Sequence, residues 1–206
     1  MQPAPCLLLK CPQCGTQKKV MSLMSGNTFG AQIWSDCKRI APMLPQNDPI
    51  VKCPHCNYYY WIHKQPSSYS ENEYFTTPNS LSFIEWNEAL IQLQNDVTIE
   101  EERTIRIHLL WAFNDTIRHE EDTLPEHETL FISNVLRLLE IMDWTSGNLL
   151  FKAELHREIG QFDECLTILN NNKFTDNEVS IMRKISQAAQ NGNKRAFMIL
   201  SDEDTW

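Results

Sequence analysis

Two Cys-Pro-x-Cys steps, Cys11-Pro12-Gln13-Cys14 and Cys53-Pro54-His55-Cys56, constrain this chain more than anything else in it. In a C-x-x-C step a tight turn aims two sulfurs to the same side, which supplies half of a tetrahedral metal site. Zinc takes four ligands, with sulfurs at about 2.3 Å, so one such turn calls for a second. Proline after the first cysteine of each pair fixes φ, and Gly15 permits the left-handed conformation that closes the first turn. Residues 11–14 and 53–56 are therefore expected to meet around one structural Zn2+, with Cys11, Cys14, Cys53 and Cys56 as its ligands. A pair of redox dithiols is the competing reading of the same spacing.

The surrounding sequence has the pattern of strand and turn. Val20 to Met24 reads as a strand, Ser25-Gly26-Asn27 as a hairpin turn, and Thr28 to Trp34 as a strand with Phe29, Ala31 and Ile33 on one face. After the second pair, Asn57-Tyr58-Tyr59-Tyr60-Trp61-Ile62 has the aromatic and β-branched content of another strand, with Tyr58 and Tyr60 opposite Tyr59 and Trp61. Metal-bearing turns with the motifs CPQCG and CPHC, joined by short strands, resemble the zinc-ribbon superfamily over residues 10–63 or so. The resemblance implies a metal site but no single role, because ribbons serve as nucleic-acid readers, protein adaptors and structural staples. CPQCG is also similar to the rubredoxin pattern, which implies iron and electron transfer. The long segment between the pairs and the basic character of residues 1–66 depart from that family.

Seven cysteines, four of them in C-x-x-C pairs, fit a metal site in a reducing, cytoplasmic setting better than a secreted disulfide scaffold. Cys6 and Cys37 read as small or partly exposed thiols outside the site, and His55 as a filler of its turn. The chain has no run of eighteen apolar residues, and Cys6-Leu7-Leu8-Leu9 is too short for a signal peptide, so no membrane partner is expected. Charge is unevenly spread. Residues 1–66 carry seven Lys or Arg against two Asp, whereas the remainder carries eleven against twenty-five acids. This asymmetry predicts either electrostatic docking of the two parts or different partners for each.

Residues 1–66 are thus assigned to the ribbon, the polar stretch 67–80 to a linker, and 81–206 to an all-α domain, an α+β chain as a whole. Ser82 with Glu85, Thr98 with Glu101, and Thr175 with Glu178 are capping-box pairs that start helices. Helices are predicted over residues 82–94, 99–118, 125–142, 148–160, 163–170 and 175–191. Ile105, Leu109, Ala112, Phe113 and Ile117 form the buried stripe of the second, and Leu130, Phe131, Val135, Leu138 and Leu139 that of the third. The stretch LLFKAELHREIGQFDECLTIL resembles a tetratricopeptide helical hairpin, with Ala153 small at the crossing, Gly160 at the turn, Phe162 after it and Cys165 at the small position of the second helix. Lys152 and His156 depart from that pattern, and no second repeat follows. A ribbon followed by tetratricopeptide-like helices is similar to the arrangement of a group of bacterial proteins, and that resemblance implies no reaction.

Nothing in the sequence assembles a catalytic motif: there is no phosphate-binding glycine loop, nucleophile elbow or H-E-x-x-H step. The cluster His119, Glu120, Glu121, Asp122, Glu126, His127 and Glu128 reads as a solvated interhelical loop, and His108 and His156 as single helix histidines. The leading expectation is a non-catalytic adaptor that binds another protein. The alternative is a nucleic-acid binder using Lys18, Lys19, Lys38, Arg39, Lys52 and Lys64 with stacking on Tyr58 to Trp61. A docked arrangement would place Lys38, Arg39 or Lys52 beside acidic side chains.

Overall fold

The computed structural model describes residues 1–119 and 124–201. In chain order its elements are β1 (Gln2–Lys10), β2 (Gln17–Ser25), β3 (Gln32–Trp34), β4 (Arg39–Ile40), β5 (Ile50–Lys52), β6 (Tyr59–Trp61), β7 (Ser67–Tyr74), α1 (Phe83–Leu93), α2 (Ile99–Arg118), α3 (Pro125–Ile141), α4 (Leu149–Glu158), α5 (Phe162–Asn171), α6 (Asp176–Gln190) and β8 (Met198–Ser201), with a 3-10 turn at Ser146–Asn148. The fold is α+β, with small antiparallel sheets and six helices among the described residues. It divides into two compact units, residues 1–31 with 40–96 and residues 32–39 with 97–206.

In the first unit, β1 is the centre of a three-stranded sheet ordered β2-β1-β7. The β1–β2 register runs from Gln2 opposite Ser25 to Lys10 opposite Gln17, so residues 11–16 form the tip of a hairpin. Proline offers no N–H to a ladder, and the register shifts fall beside Pro3 and Pro5. A second hairpin pairs Ile50 with Trp61 and Lys52 with Tyr59, leaving residues 53–58 as its tip. All of Tyr59, Tyr60 and Trp61 are buried, so both faces of β6 are covered.

One cover of β6 is α1, which buries Phe83, Trp86, Ala89 and Leu93. Gln92 of this helix acts as a surrogate strand: the Tyr59 N–H donates to its Oε1 and its Nε2 donates to the Tyr59 carbonyl, both at 3.0 Å. Tyr59 Oη donates to Glu88, and Lys52 reaches Glu85 at 3.3 Å and Glu88 at 3.4 Å. The capping box expected at Ser82 and Glu85 is formed in full.

Two features correct the sequence-based division. Residues 67–80 are not a free linker: residues 67–74 pair with β1 as β7, and Asn79 is clamped by Asn47, Asp48 and Ile50. The alternating polar side chains of β7 point mostly to solvent, so composition suggested a loop where backbone pairing makes a strand. Helix α1 also belongs with the first unit, not with the other helices. The expected strand from Thr28 is reduced to Gln32–Trp34, and Phe29, in the turn before it, is 69% exposed.

The second unit contains α2 to α6 and the short segment 32–39, whose β3 pairs antiparallel with β8. Helices α2 and α3 pack together and bury Ile105, Leu109, Val135 and Leu138, with Phe113 stacked on Phe131 at 4.2 Å. Ala112, Ile117, Leu130 and Leu139 of the expected stripes are half-buried. Helices α4, α5 and α6 share a cluster of Ala153, Cys165, Leu169, Ile185 and Ala189, with Phe162 against it. Gly160 turns the chain between α4 and α5 at φ +81°.

A side chain at Gly160 would meet only the flexible Lys194, no nearer than 3.5 Å, so crowding adds nothing to the left-handed backbone cost. Gly160→Val is expected to lower stability by about 1–2 kcal/mol and Gly160→Asn by clearly less, because asparagine tolerates this conformation. Thermal melting of the three proteins checks this order.

Candidate metal centre

The two hairpin tips close in the same way. In the first, the Cys11 N–H donates to Thr16 O at 2.9 Å and the Gly15 N–H to Cys11 O at 2.9 Å. In the second, the Cys53 N–H donates to Tyr58 O at 2.9 Å and the Asn57 N–H to Cys53 O at 3.1 Å. Each turn needs a left-handed residue after its second cysteine, supplied by Gly15 at φ +75° and Asn57 at φ +58°. The role of Gly15 was legible in the sequence. That of Asn57 was overlooked, although asparagine is the usual substitute for glycine there.

These turns bring the four expected cysteines together, with all four Sγ atoms within 4.8 Å of one another. Cys11 Sγ lies 3.7 Å from Cys56 Sγ, and Cys14 Sγ lies 3.5 Å from Cys53 Sγ. A tetrahedron with metal–sulfur bonds of about 2.3 Å has sulfur–sulfur edges of about 3.8 Å, so this spacing suits a four-thiolate ion. A disulfide needs about 2.05 Å, far shorter than these separations. Four thiolates at such distances repel strongly unless a cation sits among them, and the donor set therefore fits a metal ion. Among the described residues no other group of three or more Cys, His, Asp or Glu side chains has this arrangement.

The site is supported from below and open on one side. Leu9, Val20, Val51 and Tyr60 form a buried cluster with Cys11 and Cys53, and Leu7, Tyr58 and Ile62 pack against it. Cys14 is exposed and Cys56 half-buried. The Thr16 side chain, and then its backbone, hold the Cys14 thiol down at about 5. Burial, and then the nearby cysteine charges, push the Tyr60 phenol well above its ordinary range.

The other sequence candidates lie elsewhere. His55 is exposed on its turn and outside the sulfur cluster. Cys6 is buried in β1 and donates to Ser70 Oγ at 3.2 Å, Cys37 lies in the second unit with φ +63°, and Cys165 is in the α5 core. Of the acidic and histidine cluster at residues 119–128, Glu120, Glu121 and Asp122 lie outside the described residues. His108 packs edge-on against Trp111, and His156 Nδ1 lies 2.6 Å from Gln161 Oε1.

Several of the basic residues are engaged in ion pairs. Lys19 binds Glu73 at 2.6 Å and Lys38 binds Asp115, while Lys52 bridges Glu85 and Glu88. Lys64 lies over the Trp61 ring. No helix among the described residues is long and apolar enough to cross a membrane. No family model, curated protein or solved structure matches the chain.

The two left-handed residues supply a test of the turn geometry. Gly15→Val and Asn57→Val are each expected to weaken metal binding by roughly tenfold, the equivalent of about 1.4 kcal/mol of backbone strain, whereas Asn57→Gly should bind as the wild type does. Competition against a chromophoric chelator measures all three.

Proposed function

We propose that this chain is a non-catalytic zinc protein, in which one structural Zn2+ held by Cys11, Cys14, Cys53 and Cys56 fixes the first unit and the folded chain serves as an adaptor for another protein. The observation that carries the metal assignment is the convergence of four sulfurs from two hairpin tips of matching geometry. Zinc suits a structural role because it has no redox chemistry and accepts a closed tetrahedron of thiolates. Each hairpin alone is too small to stabilise itself by burial, and an ion joining them closes a long loop in the chain.

A protein partner is favoured over nucleic acid by the fate of the residues that would bind phosphate and bases. Three of the candidate lysines are matched to carboxylates, and Tyr59, Tyr60 and Trp61 are buried instead of offered for stacking. The net charge of −9 opposes a polyanion at long range.

Purified protein is expected to be colourless and to contain one zinc per chain by elemental analysis. Iron in its place, with the colour of a ferric-thiolate centre, would move the assignment to an electron carrier. Cys53→Ser should abolish stoichiometric zinc and most near-ultraviolet signal from the first unit while α2 to α6 keep most of the far-ultraviolet helical signal.

The partner class has its own test. Single-stranded DNA and RNA titrated against the zinc protein at several salt concentrations should give no measurable binding at physiological ionic strength. A steep linear decrease of log affinity with log salt would replace the adaptor reading with nucleic-acid binding.

A further inference from the structure

One of the attachments of segment 32–39 to the second unit runs through Asp36, which is fully buried. Its carboxylate accepts from Asn114 Nδ2 at 2.9 Å and from Arg118, and its backbone carbonyl accepts from Trp111 Nε1 at 2.9 Å. The same Asn114 amide also reaches both carboxyl oxygens of Glu158, at 3.2 and 3.3 Å. One neutral amide of α2 thus joins two buried acids, one on the segment and one at the end of α4.

The buried acids are unequally matched. Asp36 has Arg118, and Asp115 has both Lys38 and Arg118. Glu154, fully buried, is held by Arg157 through two guanidinium nitrogens. Glu158, 3% exposed, has a neighbouring amide and, among the described residues, no ion-pair partner of its own. The charges acting on it are Glu154 and Arg157 on its own helix and Asp36 on the segment, with the Cys37 thiol of the segment within their reach; Asp36 is paired with Arg118 of α2, Lys38 with Asp115 of α2, and Cys165 of α5 lies by Glu154 and Arg157. Ionising Glu158 would add a carboxylate beside Asp36 and Glu154, whose own cations are already engaged.

We propose that Glu158 is the proton-holding group of a latch: with its carboxyl neutral, segment 32–39 stays seated on α2 and α4, and loss of that proton loosens the segment. The moving part is short and separately held, by β3–β8 pairing and by the Ser35–Phe197 contacts, in which the Ser35 N–H donates to Phe197 O at 2.8 Å and the Phe197 N–H to Ser35 Oγ at 3.0 Å. Burial, and then the charges of Glu154 and Asp36, push the Glu158 carboxyl well above its ordinary range. The folded protein therefore retains a proton that the unfolded chain gives up. The stability from this proton is complete below the ordinary glutamate range, near about 4.3, and is lost as the pH rises through the folded value.

The test compares the full-length, metal-loaded wild type with Glu158→Gln, which keeps the shape and removes the titration. Amide hydrogen exchange across residues 32–39 is followed from about pH 6 to about pH 9 after correction for the intrinsic pH dependence of exchange. In the wild type, protection of this segment should fall by at least roughly tenfold over a pH range in which β5 keeps its protection, and the Gln variant should lose this fall. The infrared C=O band of a protonated carboxyl should be present in the wild type at neutral pH and should vanish together with the protection. That band decides the matter even if the Gln variant does not fold. Equal pH dependence in the two proteins, or no protonated-carboxyl band at neutral pH, would overturn the latch.

Discussion

The first unit depends on four sulfur atoms that the backbone brings within 4.8 Å of one another. Their two pairs are separated by residues 15–52, and without a common ion each added thiolate would drive the hairpin tips apart. With an ion, the same crowding becomes a cross-link. It sets β1–β2 against β5–β6 and lets Leu9, Val20, Val51 and Tyr60 close into one cluster beneath the sulfurs. The cluster is small, and a set of side chains of this size would not order so much chain by burial alone.

The parts of the fold written in local chemistry were readable in advance. Cys-Pro-x-Cys specifies a turn whatever surrounds it, and the three capping boxes formed where Ser82, Thr98 and Thr175 placed them. What escaped was written in distant pairing. β1 carries Pro3 and Pro5, which argue against a central strand, yet it is one because both prolines sit at register shifts. β7 has no apolar alternation to announce it, and four-residue β8 finds its partner more than 160 residues upstream. Ala153, Phe162 and Cys165 lie in or against the cluster shared by α4, α5 and α6, and Gly160 turns the chain between α4 and α5, but nothing ties these helices to the tetratricopeptide family.

Part of the charge asymmetry of the chain is taken up in specific pairs. Lys52 lies between two carboxylates of α1, and Lys38 shares Asp115 with Arg118. Pairs of this kind contribute little where solvent reaches them; where, as at Arg118 and Asp36, both partners are nearly excluded from water, desolvation offsets the attraction but loss of either partner strands a buried charge. In that buried setting polar groups act chiefly on specificity: they define which segment may lie there and in what register.

The division of the chain into units has a consequence for its biosynthesis. The polypeptide leaves the first unit at residue 31, contributes eight residues to the second, and returns at residue 40, long before α2 has been made. On a ribosome, β3 therefore emerges with only the adjacent β4 to pair with and must wait for β8, at the far end of the described chain, before its other edge is covered. All four clustered cysteines have been made by residue 56, so an ion would be able to join the two hairpin tips before α2 is synthesised. A fragment starting at residue 97 would lack that strand and the Asp36 carboxylate, leaving Asn114 and Arg118 with buried polar groups short of a partner.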